Sequence, residues 1–116
     1  MTENTALGHE EARIKRVLEF VEAHLDQDLT LHDLCAQAGL SPFHFAKVFK
    51  AAIGQPPRQY ILERRIARAR DFLVTTCLSL AEIAYAVGFS SQSHMTAAFS
   101  ARLGVTPLGY REVVTA

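Results

Sequence analysis

Apolar residues recur along this chain at helical spacing. Between residues 10 and 25 they are Ile14, Val17, Leu18, Val21 and Leu25, which predicts an opening amphipathic helix. Leu31, Leu34, Cys35 and Ala38 form a second inward stripe, and Phe45, Val48, Phe49 and Ala52 a third. Residues 57–75 hold no internal breaker. Tyr60, Ile61, Ile66, Ala69, Phe72 and Leu73 there predict one long helix. Ile83, Ala84 and Val87 mark a fifth helix, and Met95, Ala98, Phe99 and Leu103 a sixth. A last short helix begins at Thr106-Pro107 and runs to about Val114. The expected fold class is all-α, with seven helices and no strand.

Residues 29–61 repeat as residues 78–111. Leu29 through Ser41 matches Leu78 through Ser90; after a one-residue shift Phe49 pairs with Phe99, Gly54 with Gly104, Pro57 with Pro107 and Tyr60 with Tyr110. Keeping that order across such a stretch points to two copies of one supersecondary unit. Each copy reads as helix, tight turn, helix. Thr30 with Asp33 and Ser79 with Glu82 have capping spacing. Gly39 and Gly88 then turn the chain, and Ser41-Pro42 in one copy and Ser90 or Ser91 in the other start the next helix. A short turn between two helices, opened by Gly, is the helix-turn-helix pattern. Two such subdomains, residues 10–56 and 76–116, joined by a linker helix over 57–75 and preceded by a tail over 1–9, are the expected organisation.

In such a unit the second helix reads base edges with its N-terminal residues, while helix starts and basic side chains hold phosphates. The first reader starts at Ser41 and presents Phe43, His44, Ala46, Lys47 and Lys50 outward. His44 and Lys47 are the expected base or near-base contacts, with Phe43 against sugar or a thymine methyl. The second starts at Ser90 and Ser91 and presents Gln92, Ser93, His94, Thr96 and Ala97. Gln92 can bond adenine bidentately. Arg102 is the only basic residue there, near the far end, so the first unit is expected to carry most of the affinity. Tyr60 and Tyr110 are expected to pack within their own units, and His9, His24 and His32 to lie on the surface.

Charge agrees with double-stranded DNA as the partner once its distribution is considered. The formal total is zero, but residues 1–33 carry eight acidic and three basic residues, and the remainder four acidic and nine basic. The basic density peaks from Lys47 to Arg70, where Lys47, Lys50, Arg58, Arg64, Arg65, Arg68 and Arg70 accompany only Glu63. A helical protein-interaction module with the same fold and little DNA affinity is the alternative, motivated by the neutral total and the charge-poor second reader.

Composition removes other classes. With 116 residues, 49% hydrophobic and 21% charged, the chain has ordinary globular chemistry. No apolar run approaches membrane-spanning length, and the N-terminus lacks a secretory pattern. A cytoplasmic location is expected, with Cys35 and Cys77 as buried free thiols. His32 and Cys35 could share a helix face, but no further ligand lies near, so no metal is expected. There is no Gly-rich phosphate loop, His-Glu-x-x-His or Gly-x-Ser-x-Gly. Neither a catalytic residue nor a cofactor is expected.

Several ordered motifs carry a family resemblance. They are Ile66-Ala-x-Ala-x-x-Phe-Leu, Leu80-Ala-Glu-Ile-Ala-x-x-Val-Gly-Phe-Ser-Ser-Gln-Ser-His, Phe99, and Gly104-Val-Thr-Pro-x-x-Tyr-Arg. With Gly39-Leu-Ser-Pro-Phe-His-Phe and Gly54-Gln-Pro-Pro-x-x-Tyr in the first copy, the chain resembles the AraC/XylS family over about residues 10–113. The resemblance implies a seven-helix DNA-binding domain whose readers enter successive major-groove segments, about 34 Å apart on one side of the duplex. It also implies a transcription regulator, mostly of activating type, that contacts RNA polymerase. Many members carry Arg where this chain has Ala97, and basic residues where it has Ser100 and Ala101. Most also have an N-terminal effector-binding or dimerisation domain. No small-molecule effector site is evident in this sequence, and its Met1-Thr-Glu start favours a stand-alone regulator of the MarA type over an excised domain.

Overall fold

Short polar side chains set where the helices of each copy begin. In the computed structural model, which describes residues 2–115 and their side chains from residue 8 onward, Thr30 and Ser79 build matching capping boxes. Each hydroxyl accepts from the backbone N–H three residues on, Asp33 or Glu82, at 3.1 Å. The carboxylate of that residue accepts in turn from the cap's own N–H, at 3.1 Å in one copy and 2.9 Å in the other. Two otherwise orphaned donors are thereby satisfied at each start.

The order is α1 (Thr2–Ala23), α2 (Leu31–Ala38), α3 (Pro42–Ile53), α4 (Pro57–Thr75), α5 (Leu80–Ala86), α6 (Gln92–Leu103) and α7 (Pro107–Thr115). Seven helices and no strand are present among the described residues. α1 starts at Thr2, so residues read as a tail are helical; extending a formed helix costs far less than nucleating one. The backbone divides into two units. One holds the chain to His24 and Asp28–Ile61; the other holds Leu25–Gln27 and everything from Leu62 onward. α4 thus contributes to both, dividing after Ile61.

In the first unit α1, α2 and α3 pack on one another and bury Ile14, Val17, Val21, Leu34, Cys35, Ala38, Phe45 and Phe49. In the second, α4 supplies Ile66, Ala69 and Leu73, α5 supplies Ile83 and Ala84, and α6 supplies Met95 and Phe99, with Val87 and Phe89 between them. One aromatic contact recurs. The Phe49 and Tyr60 rings lie 5.7 Å apart at 72°, edge to face, and so do those of Phe99 and Tyr110.

Arginines brace the turns. Arg13 Nη1 donates to the carbonyls of Ala38 and Gly39, at 2.7 and 3.1 Å, at the end of α2. In the second unit Arg65 donates to Leu25 O (3.1 Å) and Gln27 O (2.7 Å). Arg111 donates to Leu73 O (3.1 Å), Thr76 O (3.2 Å) and Leu78 O (2.7 Å). These are charge-assisted bonds to carbonyls at helix ends and in the connections between helices.

Some sequence expectations need correction. Leu31 is exposed because it opens α2 at the unit's edge, and Ala52 because the inward stripe runs out before α3 ends. Cys77 is exposed, lying in the connection between α4 and α5; Cys35 is buried, and that burial pushes its thiol pKa up. His24 is half-buried, donating from Nδ1 to Phe20 O at 2.8 Å.

The tightest steric constraint is Gly88. Its φ is +95°, and an added Cβ would lie 1.9 Å from Leu25 O. Gly54 has a similar φ of +89° but open space around it. Gly54→Ala should therefore cost about 1–2 kcal/mol, the left-handed penalty alone. Gly88→Ala should cost about 3 kcal/mol or more once backbone displacement is added. Equal losses in urea unfolding would contradict this account of the second turn. Asp33 gives a pH-dependent check. The Thr30 N–H and hydroxyl hold its carboxyl below the usual range, so its contribution is complete above the ordinary carboxylate pKa and disappears as pH falls through the depressed value. The stability gap between the native chain and Asp33→Asn should close over that acid range; a gap independent of pH would show that the carboxylate is not held this way.

Candidate nucleic-acid interface

Both reader helices are built to one plan. Ser41 and Ser91 adopt extended backbone angles, and each hydroxyl accepts from the N–H of a histidine three residues on. The partners are His44, at 3.3 Å, and His94, at 3.0 Å. Each helix then buries two residues four apart, Phe45 and Phe49 in α3, Met95 and Phe99 in α6. At 3.6 residues per turn this fixes the rotation of the helix and turns the opposite row outward.

In α3 that outward row is Phe43, Lys47 and Lys50, with His44 and Ala46 on its flanks, all exposed together with the cap Ser41. Phe43 is 74% exposed. The Lys47 ammonium lies 4.7 Å from the centre of its ring, a cation–π contact that gathers the two side chains at the start of the helix. A large exposed aromatic held beside a cation presents an apolar surface and a charge together, which suits a sugar–phosphate or base edge.

In α6 the matched positions are Ser93 and Ala97, both exposed, and Ser100, whose hydroxyl is buried; none carries a charge. Gln92, Ser93, Thr96 and Ala97 line one shallow surface groove. Thr96 is half-buried; Ser90, Ser91, Gln92, Ser93, His94 and Ala97 are exposed. The His94 ring is not loose. Its Nδ1 shares a hydrogen bond of 3.1 Å with Ser90 Oγ, and Phe89 stands edge-on at 5.2 Å. Arg102, the one basic residue of α6, is engaged by Glu63 at 2.5 Å.

The basic stretch is less uniform than its composition suggests. Lys47, Lys50, Arg58 and Arg70 are exposed, whereas Arg65 is committed to carbonyls. The bracing roles of Arg13, Arg65 and Arg111 were not expected from the sequence. One signal was available for Arg111: the repeat has Ile61 at its matched position. No group of three or more metal-ligating side chains exists among the described residues. None of their helices is long and apolar enough to cross a membrane.

Comparison with known proteins adds identity to this geometry. A family model described as a helix-turn-helix domain matches residues 34–112. The transcriptional activator AarP of Providencia stuartii is 36% identical over 98 residues, covering 84% of this chain and 73% of AarP. The regulatory protein PocR of Salmonella typhimurium is 34% identical over 104 residues. The chain spans about a third of the length of PocR and of the right origin-binding protein of Escherichia coli, 34% of each. Among solved structures, the DNA-binding domain of the global transcriptional factor AdpA, determined with a target DNA, has a TM-score of 0.83 at 28% identity. The match covers 86% of this chain and 90% of that one. An AraC-type DNA-binding protein from Chromobacterium violaceum has a TM-score of 0.82 at 29% identity, over 88% of this chain and 91% of that one. This chain belongs to the AraC/XylS family of helix-turn-helix DNA-binding transcription regulators.

Proposed function

We propose that the protein recognises a bipartite DNA site by setting α3 and α6 in successive major-groove segments on one side of the duplex, and that it activates transcription by contacting RNA polymerase. The observation that carries the reading is the matched construction of the two readers, each serine-capped, anchored by two buried residues and exposed along its first two turns. AarP, named an activator, and AdpA, solved on DNA, support the direction of the proposal.

The readers divide the work. Lys47 and Lys50 of α3 supply charge toward phosphate and base edges, with Phe43 as the apolar contact and His44, Ser41 and Ala46 alongside. Gln92, Ser93, His94 and Thr96 of α6, with Ser90, Ser91 and Ala97, discriminate by hydrogen bonding and fit. Affinity thus resides mainly in the first unit. The same imbalance motivates a second reading, an interaction module with little DNA affinity.

Gel-shift titrations with a duplex selected from a random pool, run at several salt concentrations, test both. The regulator reading predicts retardation and a log–log salt slope of about −0.9 for each phosphate neutralised; no retardation of any duplex at low salt would leave the interaction module. Lys47→Ala should cost about 1–3 kcal/mol on the selected site, more than His94→Ala. Ala97→Arg should strengthen binding, because it adds a cation to the uncharged row of α6. Unchanged affinity for Lys47→Ala together with weakening by Ala97→Arg would remove those two positions from the reading surface.

A further inference from the structure

The repeats differ at one place outside the two reader helices. In the second unit the Arg111 guanidinium fills the space beside Leu78, donating to the carbonyls of Leu73, Thr76 and Leu78. The matched residue in the first unit is Ile61, and the matched space beside Leu29 is a cavity of about 370 Å³. Leu29, Leu31, Leu34 and Ile61 give it aliphatic walls, completed by Pro57 and the Thr30 cap, with Arg58 beside them. The residue matching Arg58 is Leu108, itself exposed. One copy therefore places a guanidinium inside and a leucine outside; the other places aliphatic side chains inside and a guanidinium at the rim.

We propose that this cavity in the first unit is a binding site for a small monocarboxylate with an aliphatic or aryl tail. The volume lies within the range of small-molecule sites. Arg58 is the single charged group of the lining, it is exposed, and its guanidinium takes part in no hydrogen bond or ion pair among the described residues. A guanidinium fork matches a carboxylate in two parallel hydrogen bonds. The leucines and Ile61 accept an apolar tail and offer a second charge no partner, which disfavours dicarboxylates. Asp33 adjoins the lining residue Leu34 in sequence. Its carboxylate is held by the Thr30 N–H and does not line the cavity.

The probe is octanoate, followed through the amide ¹H–¹⁵N spectrum of the full chain, with 1-octanol as the uncharged control. Saturable shifts at Leu29, Leu31, Leu34, Arg58 and Ile61 are expected at about 1 mM octanoate. The alcohol should bind about ten-fold more weakly, and Arg58→Ala should bring octanoate down to the same level. Ile61→Arg, which restores the arrangement of the other copy, should abolish the shifts. Should that variant unfold, Arg58→Ala decides alone, since its side chain is on the surface. Absence of saturable shifts, equal binding of acid and alcohol, or full affinity in Arg58→Ala would overturn the proposal. So would loss of DNA affinity in Arg58→Ala without octanoate shifts, which would make Arg58 a phosphate contact.

Discussion

The orientation of each reader helix depends on one aromatic contact made twice. Phe49 meets Tyr60, and Phe99 meets Tyr110, with the same ring separation and the same edge-on angle. An edge-to-face pair adds about 0.5–1.5 kcal/mol beyond the area its rings bury, but its consequence here is geometric. Because the phenylalanine is fixed from below by the tyrosine of the following helix, the reader cannot rotate about its own axis. The row half a turn away must then face outward. Gly54-x-Pro-Pro and Gly104-x-Thr-Pro bring that next helix round to deliver the tyrosine, so the punctuation of the sequence and the aim of the reader are one device.

The duplication supplied two equivalent frames, and the two have diverged in where they spend charge. In the first unit the cations of α3 stand on the surface, and its turn is braced from α1 by Arg13. In the second, Arg65 and Arg111 brace the backbone, Arg102 pairs with Glu63, and the outward row of α6 carries none. Arginine suits bracing because its planar fork satisfies two or three carbonyls at once and never loses its proton. The consequence is an asymmetry of charge: the outward row of α3 carries Lys47 and Lys50, and the matched row of α6 carries no charged side chain.

The fold was legible because local signals agreed with one another. Capping residues at Thr30, Ser41, Ser79 and Ser91, stop glycines, and apolar stripes of period 3.6 all placed the same boundaries, and the repeat gave two readings of each. The misplacements have local causes. Leu31 and Ala52 occupy inward positions at helix ends, where periodicity continues but packing partners do not. Cys77 is an apolar-looking residue in a connection, and burial there cannot be read from its neighbours in sequence. Within the candidate interface, the exposed row of α3 followed from the spacing of Phe45 and Phe49. The Lys47–Phe43 contact was not legible, since it depends on rotamers. The bracing arginines were hidden because composition counts a guanidinium as surface charge whatever it touches; only the mismatch of Arg111 with Ile61 hinted otherwise.

The central claim is that both reader faces, unequal as they are, engage one side of the same duplex. Hydroxyl-radical footprinting of the native chain on a selected site tests it at backbone resolution. Two protected patches are expected on a single face, centred about one helical turn, 10–10.5 base pairs, apart, the stronger one under α3. A single protected patch, or two patches on opposite faces of the duplex, would contradict it.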